Sequence, residues 1–122
     1  MPKKYSLKKR KEIENLFNDC SFFSNSFFRI VYKPNSDLKI LISIPKRIQS
    51  KSVRRNKIKR RIRHILYPKL IRSKILKPGY YGIIVRQDIY NTEFSKIKAN
   101  LINLLMENNL LEYSQNVKTS SF

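Results

Sequence analysis

Between Leu7 and Cys20 the apolar residues Ile13, Leu16, Phe17 and Cys20 fall at i, i+3, i+4 and i+7. That is one stripe of an amphipathic helix, with Lys8 to Lys11 solvated at its start. The basic first turn opposes the helix dipole by roughly a few tenths of a kcal/mol, and either contact with an anionic partner or plain tolerance would account for it. The period then changes. From Phe22 to Tyr32 aromatic and branched residues alternate, with Phe28, Ile30 and Tyr32 on one face and Phe27, Arg29 and Val31 on the other. After the turn signal Pro34-Asn35-Ser36-Asp37, the run Leu38 to Ile44 alternates again, with Leu38, Ile40, Ile42 and Ile44 on one face. Two such runs predict an antiparallel hairpin, ended by Pro45, which cannot donate to a ladder.

The spacing next predicts a basic helix from Ser52 to Tyr67, closed by Pro68. Residues 69–79 are basic and apolar and end in the turn signal Pro78-Gly79, and Tyr80 to Arg86 suits a buried strand. Asn91 or Thr92 can cap a last helix whose apolar positions are Phe94, Ile97, Leu101, Leu104 and Leu105. The predicted order is α-β-β-α-β-α: an α+β fold with a small, mainly antiparallel sheet packed by helices. Residues 1–6 read as a flexible basic arm, 7–111 as one domain and 112–122 as a polar C-terminal tail.

Composition narrows the function. The 122 residues hold 27 Lys+Arg against 8 Asp+Glu, a net charge of +19, yet 41% are hydrophobic and 11% aromatic. A disordered basic tail lacks such apolar content, and the length leaves little core for a second domain. No apolar run approaches the roughly 18 residues of a membrane span, and no apolar stretch follows the basic N-terminus to make a secretory signal. The expected compartment is the cytoplasm. With one cysteine (Cys20) and one histidine (His64), a disulfide framework, a zinc cluster and a histidine-based triad are all excluded. Asp88 and Glu93 lie near each other, but read better as charge at a helix start than as an acid–base pair.

The charge is localised. Residues 38–87 contain 16 Lys+Arg and no acid, and ten of these cations lie between Lys46 and Arg63. On the predicted helix, Ile58, Ile62, Ile65 and Leu66 share an arc of roughly 100°, while Arg54, Lys57, Lys59, Arg60, Arg61 and Arg63 cover most of the rest. A solvated face is the ordinary reading of a charge run, but so many cations without a local acid repel one another and favour a polyanion. An acidic membrane is a poorer fit, because no Trp or Phe lies on the apolar side to insert. The aromatics Phe17, Phe22, Phe23, Phe27, Phe28 and Tyr32 cluster in the first third. Alternation sends them to both sheet faces, so some should line a groove where unstacked bases can lie.

The string Arg55-Asn56-Lys57-x-Lys59-Arg60-x-x-Arg63 resembles the "R-N-R-x-K-R-x-x-R" helix of the bacterial ribonuclease P protein subunit. Pro45-Lys46-Arg47 is similar to that family's Ser-Lys-Lys at a strand end, and Leu7-Lys8-Lys9 with Ile13 and Leu16-Phe17 to its first helix. Asn25-Ser26-Phe27-Phe28 resembles its strand entry and Tyr81 to Arg86 its "D-Y-V-I-I-A-R" strand, so five ordered matches span about residues 5–111. Lys57 departs from the second Arg, Pro45 from Ser, and Cys20 from a usual Gly. Losing the guanidinium fork at position 57 predicts weaker affinity per contact, with the function unchanged.

The resemblance implies a left-handed βαβ crossover and a protein that binds the catalytic RNA of ribonuclease P and the 5′ leader of precursor tRNA. The RNA would carry the chemistry with Mg²⁺ bound mainly by RNA and substrate, leaving no catalytic or metal-binding residue in the chain. Arg54, Arg55, Lys57, Lys59, Arg60 and Arg63 would neutralise RNA phosphates, and Asn56 would donate a directed hydrogen bond or hold the helix start. Phe17, Phe28 and Tyr32, with Lys46 and Arg47 at the rim, would form the leader cleft. The alternatives are a non-enzymatic ribosomal or RNA-chaperone protein and, last, a DNA binder, for which no helix-turn-helix pair is recognisable.

Overall fold

A computed structural model describes residues 1–112, so the expected C-terminal tail lies almost wholly outside the described residues. Helix α1 spans Arg10–Leu16, strands β1, β2 and β3 span Ser21–Ser24, Phe28–Lys33 and Lys39–Ser43, helix α2 spans Ser52–Ile65, strand β4 spans Tyr80–Val85, and helix α3 spans Phe94–Glu107. The sheet order is β1-β2-β4-β3. The α+β class holds, with a mixed sheet: β1–β2 and β2–β4 are antiparallel, and β3–β4 is parallel.

Two expectations about strands are corrected. The aromatic run Phe22 to Tyr32 is two strands rather than one, because Asn25 folds it back. Its Oδ1 accepts the N–H groups of Phe27 (3.0 Å) and Phe28 (2.8 Å), and its own N–H donates to the Phe28 carbonyl. Such a side-chain turn competes with a straight ladder even inside an aromatic segment. The predicted hairpin between the two alternating runs is also absent, since β4 lies between β2 and β3. Every β4 position is buried except half-buried Ile84, so the strand needs both neighbours and both faces covered. Joining β3 to its parallel neighbour β4 then requires a crossover, which α2 provides.

The registers sort side chains onto two faces. Phe28, Ile30 and Tyr32 of β2, Tyr81, Ile83 and Val85 of β4, and Ile40 and Ile42 of β3 share the main core with α2 and α3. Helix α2 contributes Ile58, Ile62 and Ile65, and α3 contributes Ile97, Leu101 and Leu105 among others. The opposite face carries Val31, Tyr80, Leu41 and Ile84, packed against Leu7, Ile13 and Leu16 as a smaller core under α1. Gly82 sits on that face, and a Cβ there would lie 3.3 Å from Leu16, so the glycine sets how closely α1 approaches.

Ends of elements differ from expectation for local reasons. Helix α1 is shorter than 7–20, because the Leu7 N–H donates to the Ile40 carbonyl (3.0 Å) and Asp19 adopts a left-handed backbone, φ 51°. The N-terminal arm is docked: Lys3–Tyr5 form a 3-10 turn, and Ser6 bridges Ile40 beside β3. Regular α2 geometry stops at Ile65, and Tyr67 is extended (φ −116°, ψ 138°), as a residue before proline must be. A separate helical turn follows this kink through Leu70. Neither Asn91 nor Thr92 caps α3: Glu93 occupies the N-cap without a side-chain bond.

Candidate nucleic-acid interface

The basic residues of α2 are sorted by the helix into three groups. Arg54 and Arg61, seven apart and therefore on one side, lie over the Tyr90 ring at 4.8 and 5.5 Å, and Arg61 also donates to the Tyr90 carbonyl at 2.7 Å. Arg55 turns back and donates to the carbonyls of Gln49 (2.9 Å) and Ser50 (2.8 Å), clamping the loop that enters the helix. Asn56, Lys57 and Arg60 face solvent, with Lys59 and Arg63 half-buried. Asn56 lies inside the helix and not at its start, where Lys51 is the N-cap.

The docked N-terminus brings further cations that the sequence reading missed. Lys3 and Lys8 line an open basin of about 470 Å³ with Arg60, Arg63, His64 and Tyr67. A smaller recess of about 170 Å³ joins Lys8 to Lys59 and Arg63 beside β3. The available signal was the apolar Leu7 within a basic run, which marks a strand-like anchor. Behind the helix, buried Gln49 donates to Asp88 (3.0 Å), whose other oxygen accepts the Tyr90 N–H. Asp88 thus ties the α2 entry to the β4–α3 loop that carries Tyr90 and does not start a helix.

The expected cleft is divided by the sheet. Phe28 is fully buried and Tyr32 is 7% exposed, its hydroxyl donating to the Pro78 carbonyl at 2.8 Å. Both belong to the main core, so their assignment to a leader cleft is corrected: a ring enclosed by core side chains has no face to offer a base. Burial also pushes the Tyr32 and Tyr81 phenols up. Phe17, by contrast, is 45% exposed at the end of α1. Phe22, on the face shared with Arg29, is 53% exposed, and the Arg29 guanidinium lies 4.8 Å from its ring.

An open strip therefore crosses the α1 side of the sheet. One register row runs Ser24, Arg29, Ile84 and Ser43, none of them buried. Beyond it the chain turns at Pro45, whose carbonyl accepts the Ile48 N–H at 2.9 Å, and exposes Lys46 and Arg47. The position of α1 beside this strip is held by Glu12, which accepts from Lys39 Nζ (2.8 Å) and the Tyr80 hydroxyl (3.1 Å). Lys39 lowers the Glu12 carboxyl below its ordinary value, and Glu12 raises Lys39 in return. Lys33 adds bonds to the Asn15 carbonyl and side chain.

Among the described residues no group of three His, Cys, Asp or Glu could hold a metal ion. The described side chains therefore do not fit a resident Mg²⁺. No helix among them is long and apolar enough to cross a membrane.

A mixed sheet with a basic helix over one face and an aromatic, cationic strip on the other defines a polyanion-binding α+β protein. The ribonuclease P family profile matches residues 1–108. A ribonuclease P protein component from Listeria innocua is 32% identical over 120 residues, covering 95% of this chain and 98% of its own. One from Streptococcus pyogenes is 30% identical over 114 residues, 92% of each chain. Among solved structures, the Staphylococcus aureus RNase P protein superposes with a TM-score of 0.76 at 22% identity, over 88% of this chain and 98% of that one. The Thermotoga maritima RNase P protein gives 0.71 at 23%, over 84% and 96%. The chain belongs to the ribonuclease P protein family.

Proposed function

We propose that the chain is the protein subunit of ribonuclease P, an endoribonuclease whose RNA performs the cleavage, and that it holds that RNA with α2 and the 5′ leader of precursor tRNA with the α1 strip. The observation that carries this division is the sorting of cations. Lys57, Lys59, Arg60 and Arg63 are left on the outside of α2, and the N-terminus adds Lys3 and Lys8. Arg54 and Arg61 are engaged with Tyr90 and Arg55 with backbone carbonyls, so these three shape the helix surface more than they neutralise phosphates. Asn56, exposed beside them, supplies a directional donor.

On the other face, Phe17 and Phe22 offer rings for stacking, Arg29 lies over one of them, and Lys46 and Arg47 stand at the strip's end to meet leader phosphates. Mg²⁺ would be held by RNA and substrate phosphates, where it directs water at the scissile bond. The protein lowers the Mg²⁺ requirement by supplying fixed positive charge. The test is cleavage of a precursor tRNA by the cognate RNA at low Mg²⁺, with and without the protein. Stimulation with cutting at the mature 5′ end is expected. Tight RNA binding without stimulation would favour a structural RNA-binding role.

A further inference from the structure

Away from the strip, the end of α2 and the start of α3 border an open cavity of about 490 Å³. Its floor is apolar, made by buried Ile65, Leu70 and Ile102, and its rim includes Arg72 and Lys98. One wall is Phe94, 39% exposed, whose ring centroid lies 6.0 Å from that of His64 with the planes 59° apart. An adjoining recess of about 510 Å³ shares His64 and Phe94 and adds Arg60 and Arg61. Among the described residues no carboxylate lines either space.

An exposed aromatic wall with Arg72 and Lys98 at the rim matches a flat, anionic ligand. A bare phosphate would need no ring, and an apolar helix would meet the charged heads of Arg72 and Lys98. An unpaired nucleotide satisfies both features, its base on the rings and its phosphates on the rim. Arg60 lines this recess and the basin shared with the N-terminus, so the two surfaces are continuous along α2. The leader strip lies on the opposite face of the sheet. Resting on the reading of α2 as the face for the partner RNA, we propose that the exposed Phe94 ring, with His64 tilted at its side, is a stacking platform for an unpaired nucleotide of that RNA, with Lys98 and Arg72 beside its phosphates.

The experiment assembles the full chain with its cognate RNA and measures the dissociation constant by filter binding. Phe94→Ala is expected to weaken assembly about tenfold, as for loss of one stacked base, and Phe94→Tyr to restore it. Lys98→Ala, on the rim, is expected to lower the salt slope of assembly by about one and keeps the test valid if Phe94→Ala melts early. The dependence of substrate affinity on leader length is expected to stay unchanged. Unchanged assembly in Phe94→Ala while Arg60→Ala weakens it overturns the platform and leaves the RNA-binding reading standing. If neither weakens assembly and the protein fails to stimulate cleavage, the underlying reading fails as well. A loss confined to leader affinity overturns the assignment to the partner RNA. Phe94-dependent capture of a Glu-rich aromatic peptide, with RNA assembly unaffected, overturns it in favour of an acidic protein partner.

Discussion

Two phenylalanines six residues apart show how much one register step decides. Phe28 lies on the main-core face and is fully buried, whereas Phe22 lies on the α1 face and is half exposed. Truncating Phe28 to Ala should cost about 3–5 kcal/mol in urea unfolding, because it leaves a cavity, and should not discriminate between leader lengths. Phe22→Ala should shift stability by less than about 1 kcal/mol yet weaken binding of precursors with long leaders severalfold, the loss vanishing for a substrate without a leader.

Glu12 is the second residue whose neighbours define it. Its carboxyl is held below the ordinary 4.5 by Lys39 and the Tyr80 hydroxyl, so the folded state binds protons less readily than the unfolded one. The stabilisation is therefore present above pH 4.5 and lost as pH falls through the folded value. Lys39 is raised above 10.5, so its share persists below that pH and is lost as pH rises past it. Glu12→Gln should flatten the acid limb of a stability–pH curve. An unchanged acid limb would show that the Glu12 contacts add nothing to the hold on α1.

Among the elements, α2 was legible as a helix from its isoleucine stripe, and its charge was legible as a polyanion signal. Its division into exposed and engaged cations was not, because Tyr90, Gln49 and Ser50 reach it from outside the helix. Arg60→Ala should lower the salt slope of RNA binding by about one with an unchanged melting temperature. Arg55→Ala should instead lower the melting temperature, by the loss of two charge-assisted bonds, roughly 1–3 kcal/mol. Equal effects on slope and melting would erase the distinction. The β1–β2 turn was hidden inside an aromatic run, where Ser24-Asn25-Ser26 was the local cue. Between α2 and β4, Gly79 has φ 150°, and a Cβ there would lie 2.5 Å from the Tyr32 ring. Gly79→Ala should destabilise by about 1–3 kcal/mol, read by thermal unfolding.

In the whole molecule the two surfaces are separated by the sheet, with α1 on one side and α2 and α3 on the other. Leader binding and RNA assembly should therefore respond independently. A Phe22→Ala/Arg60→Ala double variant should show additive free-energy losses within about 0.5 kcal/mol in a binding cycle. Strong coupling would mean that one RNA strand touches both faces.

By itself the sequence determined the class of elements, the apolar stripes of the helices, the concentration of charge and the family, since these depend on the local period and the order of residues. Strand adjacency, the burial of Phe28 and Tyr32, the docking of the N-terminus and the partners of each arginine were decided by tertiary structure. The physical reason is β4. This strand, far along the chain and covered on both faces, inserts between β2 and β3, and in doing so settles which aromatic residues of the sheet meet the main core and which remain for RNA.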